Sequence, residues 1–118
     1  MYNIFVYGTL MRGERANSYL SAAKYVGEFR LKDYALYNLG WYPGIRPMSG
    51  SCVYGEVYEV SQKMLREMDR YEGEGYLYHR TEVVVDNGSE EVNALAYVYA
   101  KEIFGDVIEG GNWKTRKT

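Results

Sequence analysis

The stretch VYGEVYEVSQKMLREMDRYEG, residues 53–73, contains a strand, a capped helix and a helix stop in succession. Val53 to Val60 alternate with the period of a strand, which sets Val53, Gly55, Val57 and Glu59 on one face. The period changes at Ser61, whose hydroxyl suits an N-cap, and a helix is expected from Gln62 to about Glu72. Met64, Leu65, Met68 and Tyr71 recur at the spacing of one buried stripe, and Gly73 supplies the stop.

Strand signals dominate on both sides of this unit. Downstream, Tyr78 to Val85 and Val92 to Tyr99 flank Asn87-Gly88, the strongest hairpin signal in the chain. Upstream, Tyr2-Asn3-Ile4-Phe5-Val6-Tyr7 reads as a largely buried strand ended by Gly8. A short helix is expected over Ala16 to Ala23, and strands over Lys24 to Leu31 and Tyr34 to Leu39. Tyr42-Pro43-Gly44 has type II turn chemistry, with Pro43 at the first corner and Gly44 at positive φ. The tail from Trp113 through Lys114, Arg116 and Lys117 to Thr118 reads as frayed. No repeat or linker interrupts residues 1–118, so a single α+β domain is expected.

Composition narrows the chemistry. Fourteen basic against sixteen acidic side chains give a net charge of −2, which disfavours nucleic-acid binding, including by an RNA-binding small barrel. No apolar run reaches the ~18 residues of a membrane span, and the opening residues do not resemble a signal peptide. The single cysteine, Cys52, excludes an internal disulfide framework, so a reducing cytoplasm is the expected location. One cysteine and one histidine, His79, cannot build a His/Cys metal site. Cys52 has no obvious basic neighbour to activate it, and His79 is placed opposite Tyr78 and Arg80 as a surface residue. Catalysis must then rest on carboxylates, hydroxyls and backbone groups. Nothing in the sequence fixes an oligomeric state.

Glu72 stands out. At 100° per residue it lies roughly 20° from Leu65 and roughly 40° from Met68, so it should point toward the core. Burial and the C-terminal end of the helix dipole both disfavour its ionised form, which is the condition for a general acid/base near neutral pH. The alternative is a frayed helix end, with Glu72 bonded to Arg70, Arg80 or solvent. The loop Gly8-Thr9-Leu10-Met11-Arg12-Gly13 has the glycine spacing of a P-loop, but Glu14-Arg15 replaces its Lys-Ser/Thr. A nucleotide triphosphate is therefore disfavoured, while successive backbone N–H groups could still hold a small anion such as a carboxylate. A plain turn is the other reading of the same spacing.

Taken together these segments resemble the gamma-glutamylcyclotransferase-like family, in its small single-domain branch, and in particular the gamma-glutamylamine cyclotransferases. The resemblance runs through Phe5-Val6-Tyr7-Gly8-Thr9-Leu10 with Gly13 and Asn17, Tyr42-Pro43, and Gly55-Glu56-Val57-Tyr58. It continues through Asp69-x-x-Glu72-Gly73, Tyr78-x-Arg80, Tyr97-Val98-Tyr99 and Ile108-x-Gly110-Gly111-Asn112-Trp113. It implies a small mixed β-barrel with flanking helices, no cofactor and a gamma-glutamyl substrate that releases 5-oxoproline. It further implies Glu72 as catalytic acid/base, Tyr7, Gly8, Thr9 and Leu10 as the substrate loop, and Tyr78 as a pocket residue. A protein that binds such a ligand without turning it over is the competing expectation. The two differ in whether Glu72 lies inside a pocket beside the glycine loop.

Overall fold

The computed structural model describes residues 1–116. Its strands are β1 (Tyr2–Val6), β2 (Lys24–Asn38), β3 (Pro43–Val60), β4 (Tyr78–Asp86) and β5 (Glu91–Tyr99). They close into a barrel in the order β1, β3, β2, β4, β5. The helix α1 (Gln62–Glu72) follows β3, and 3₁₀ turns lie at Asn17–Leu20 and Trp113–Thr115. The barrel implied by the family resemblance is present, with one α-helix and short 3₁₀ turns as its helical elements.

Closure depends on two narrow seams. β1 and β5 run parallel and meet at one register pair, Ile4 with Leu95. β2 and β4 also meet at one pair, Arg30 with Asp86. The side chains of those two residues form an ion pair of 2.9 Å across the seam. The wider contacts are antiparallel, and β4 pairs with β5 from Tyr78–Tyr99 to Asp86–Glu91 around the Asn87-Gly88 turn. Ile4, Phe5, Ile45, Val53, Val57, Val60 and Val85 are wholly shielded from solvent and form one cluster with Leu65 and Met68 of α1. That cluster fixes which face of α1 turns inward.

The helix ends where its sequence says it should. Ser61 accepts a hydrogen bond from the Met64 N–H at 3.2 Å, and Gly73 closes the helix in the left-handed region at φ 67°. Ser61→Ala should lower stability by about 1 kcal/mol, because one orphan N–H loses its acceptor. A chemical-denaturation midpoint identical to wild type would show that the cap contributes nothing.

Several local expectations are corrected. The two strands expected over residues 24–39 are one strand, β2, kinked by a register shift between Lys32 and Tyr34 where Asp33 takes φ 64°. Pro43 and Gly44 open β3 instead of forming a type II turn; the reversal lies at 39–42, with Leu39 N–H bonded to Tyr42 C=O at 3.0 Å and Gly40 at φ 110°. Gly44 is required by crowding, since a Cβ there would sit 2.8 Å from Leu39 Cδ1 and 2.9 Å from Tyr99 Cβ. The helix expected over Ala16 to Ala23 is only the 3₁₀ turn Asn17–Leu20.

The tail from Trp113 is not frayed over its described part. Trp113 is 1% exposed, Asn112 caps the 3₁₀ turn through the Lys114 N–H, and Tyr54 N–H bonds Gly111 C=O at 2.8 Å. One large aromatic side chain outweighs its basic neighbours, because an indole buries more apolar area than almost any other side chain. Lys117 and Thr118 lie outside the described residues.

Candidate active site

β1 delivers Tyr7 to the rim of the barrel, and the chain then turns tightly through residues 8–16. Met11 N–H bonds Gly8 C=O at 3.0 Å, Ala16 N–H bonds Thr9 C=O at 2.9 Å, and the Asn17 side chain donates to Leu10 C=O at 2.9 Å. All three loop carbonyls are thus occupied. The N–H groups of Gly8, Thr9 and Leu10, by contrast, donate to no acceptor among the described residues. Buried N–H groups rarely stay unpaired, and a row of them makes a cradle for a small anion.

The loop is held from behind by a buried carboxylate. Glu56 is 5% exposed and accepts from the Arg12 N–H at 2.9 Å and the Tyr58 hydroxyl at 3.3 Å. Lys114 Nζ lies 3.5 Å from its other oxygen, and Asn17 also donates to the Tyr58 hydroxyl at 3.1 Å. Strand alternation put Glu56 on the face opposite Val57, but its role as an anchor depends on the distant Lys114 and Arg12. No local signal could have revealed that.

In front of the loop lies a cavity of about 230 Å³, whose lining includes Tyr7, Gly8, Thr9, Leu10, Glu72 and Tyr78. All six residues singled out in the sequence therefore border one concavity. Glu72 is half-buried at the last turn of α1, and it has no hydrogen-bond or ion-pair partner among the described residues. Arg80 pairs with Asp69 instead, which removes the arginine-locked alternative. Burial raises the Glu72 carboxyl from 4.5 to about 7. Desolvation carries that shift.

The phenols around Glu72 form a fixed wall. Tyr7 donates to Tyr97 C=O at 2.6 Å, Tyr78 to Pro43 C=O at 2.6 Å and Tyr97 to Asp69 at 2.6 Å. Burial raises the pKa of all three, so they remain protonated donors at neutral pH. Thr9 and Tyr71 share a hydroxyl hydrogen bond of 2.9 Å that ties the loop to α1. Sequence reasoning missed Tyr71, Tyr97, Tyr42, Pro43 and Arg15 as cavity residues. Tyr71 carried a signal in its place on the inward stripe of α1, and Tyr42, Pro43 and Tyr97 lay in segments that carry the family resemblance without being assigned to the site. His79 is exposed, and burial raises the Cys52 thiol, so neither joins the site. No group of His, Cys, Asp and Glu among the described residues is arranged to hold a metal ion, and no described helix is long and apolar enough to cross a membrane.

Comparison with known proteins gives the class to which this barrel and cavity belong. The family model described as gamma-glutamyl cyclotransferase, AIG2-like, matches residues 4–115, and the chain belongs to that family. It is 37% identical over 114 residues to the Escherichia coli K12 gamma-glutamylcyclotransferase family protein YtfP, covering 96% of each chain. It is 35% identical over 96 residues to a rat gamma-glutamylaminecyclotransferase, covering 72% of this chain and 64% of that one. A crystal structure of a mouse AIG2-like protein superposes with a TM-score of 0.79 at 30% identity, over 100% of this chain and 98% of that one.

Proposed function

We propose that this protein is a gamma-glutamyl cyclotransferase that releases 5-oxoproline and a free amine from a gamma-glutamyl amide, with Glu72 as general acid/base. The carrying observation is that an unpaired carboxyl raised to about 7 shares one small cavity with three unpartnered N–H groups. The N–H groups of Gly8, Thr9 and Leu10 suit the substrate's α-carboxylate, and Tyr78 walls the reacting end. That arrangement leaves the free α-amine beside Glu72. The amine nitrogen attacks the substrate's own γ-carbonyl, one C–N bond forms and one breaks. Glu72 takes the proton lost by the attacking nitrogen and returns it to the departing one. Closure of a five-membered ring needs no second reactant, so fixing the conformer and moving that proton are the protein's main contributions.

A screen of gamma-glutamyl compounds, read as 5-oxoproline by mass spectrometry, should find at least one substrate. Silence across the whole panel would refute the activity. Binding has its own readout: 5-oxoproline should shift the Tyr7 to Leu10 amides in an NMR titration, and ATP should not, because Glu14-Arg15 stands where a nucleotide loop needs Lys-Ser/Thr. ATP shifts confined to that loop would overturn the carboxylate assignment.

A further inference from the structure

A second partly buried carboxylate stands on α1 one turn ahead of Glu72. Asp69 and Glu72 are three residues apart, a spacing that makes them neighbours on one side of the helix. Their surroundings differ. Glu72 has no partner among the described residues, whereas both oxygens of Asp69 are taken. Oδ1 accepts from the Tyr97 hydroxyl at 2.6 Å, and Oδ2 accepts from the Arg80 guanidinium. Tyr97 and Arg80 are a register pair across β4 and β5, so one carboxylate clamps the last turn of α1 to one rung of the barrel.

That clamp decides what Glu72 meets. The charged and titratable groups that line the cavity with Glu72 are Arg15 and the phenols of Tyr7, Tyr42, Tyr71, Tyr78 and Tyr97. Arg15 donates to the Trp41 carbonyl, and the hydroxyls of Tyr7, Tyr71, Tyr78 and Tyr97 are each bonded to a group other than Glu72. On α1 itself, Arg70 is exposed. Arg80, two residues past Tyr78 on β4, is the cation that Asp69 keeps one turn short of Glu72. Three residues of helix rise only about 4.5 Å, a step that a long arginine side chain covers by changing rotamer. Glu74, beyond the helix end, accepts from the Arg80 backbone N–H at 3.2 Å, but it is exposed and competes for the side chain only as a solvent-screened charge.

We infer that Asp69 is a positioning residue: it holds Arg80 and Tyr97 back from Glu72, so that the cavity carboxyl is left without a partner. This rests on the cyclotransferase reading and adds to it the residue that keeps the acid/base free. An opposite charge within about 4–6 Å lowers a carboxyl pKa by about 1–3 units. A Glu72 paired with Arg80 would stay ionised through neutral pH and would be a weaker base toward the attacking amine.

The test is Asp69→Asn, alone and combined with Arg80→Gln. Asparagine keeps the shape and still accepts from Tyr97, but it gives up the charge that holds Arg80. The Glu72 carboxyl is titrated by NMR in glutamate-labelled protein and assigned through its absence from Glu72→Gln. Its midpoint should lie at about 7 in wild type and fall by about one unit or more in Asp69→Asn. Adding Arg80→Gln removes the released charge, so the midpoint should return most of the way. The limb of kcat/KM that rises with pH as Glu72 loses its proton should move in the same order. A purely structural clamp predicts no such rescue, because the second substitution would only add to the damage. An unchanged midpoint in Asp69→Asn, the result if Arg80 turns to Glu74, overturns the inference. A double variant that titrates as low as the single one overturns it too. Asp69→Ser, which also removes the charge, serves as an independent second variant and should show the same fall and the same rescue. The titration needs no turnover: if no gamma-glutamyl compound is cleaved, the cyclotransferase reading fails, while the Glu72 midpoints still decide for or against Asp69.

Discussion

Glu72→Gln should lower turnover by about 10²–10⁴-fold while leaving substrate affinity within a few-fold of wild type. The amide keeps the size and hydrogen-bonding reach of the carboxyl, but it cannot carry a proton between the two nitrogens. Stability should move the opposite way. In the folded protein the carboxyl holds its proton up to about pH 7, whereas the unfolded chain releases it near 4.5. Between those values the folded state binds more protons, so ionisation of the unfolded chain erodes stability as pH rises from about 4.5 to about 7. The glutamine variant lacks that penalty and should be more stable at pH 7 by about 0.5–2 kcal/mol, with the cavity's contact with water limiting the gain. The gap should close below pH 4, where the carboxyl is protonated in both states. Wild-type 5-oxoproline release from the variant would eliminate the proton-transfer role. Lower stability at pH 7 would instead point to an ionised Glu72 with a partner.

Gly8→Ala should cost about 10²-fold in kcat/KM and about 1–3 kcal/mol in stability. A Cβ at Gly8 would overlap Pro43 Cγ and lie 2.9 Å from Pro43 Cδ. These are ring atoms that cannot swing aside, and Pro43 is fixed in β3 with its carbonyl bonded to Tyr78. The loop must therefore lift, which misaims the N–H groups that follow. Pro43→Ala removes both obstructing atoms and leaves a contact of 3.6 Å at Cβ, so the double variant should recover much of the loss. The four stabilities and four kcat/KM values form a double-mutant cycle, and simple additivity would contradict the steric account.

The features legible in the sequence were those governed by nearby residues. Ser61, the inward stripe of α1 and Gly73 fixed the helix, and helix geometry alone aimed Glu72 inward. Asn87-Gly88 fixed the last hairpin in the same way. The long β2–β3 pairing was harder to read, because Met48 to Ser51 within it carry no strand alternation and have no register partner in β2, so the pairing is set between strands and not by a local pattern. Half of the cavity wall was illegible for the same reason. Pro43, Tyr97 and Arg15 come to line the same cavity as Glu72 only when the barrel closes, through seams one residue pair wide. The tail misled because its basic residues were weighed by number, while Trp113 decided the outcome by area.

The anchoring of Trp113 and Lys114 bears on inherited variation. A premature stop codon or frameshift just ahead of the codon for Trp113 leaves the whole cavity lining encoded and would ordinarily be judged harmless. In this protein it strips an indole from the core and takes away the lysine beside Glu56, the carboxylate that holds Arg12. The lesion is read out at the loop that follows β1, so alleles truncated at this point should behave as loss-of-function alleles even though every cavity residue is still encoded.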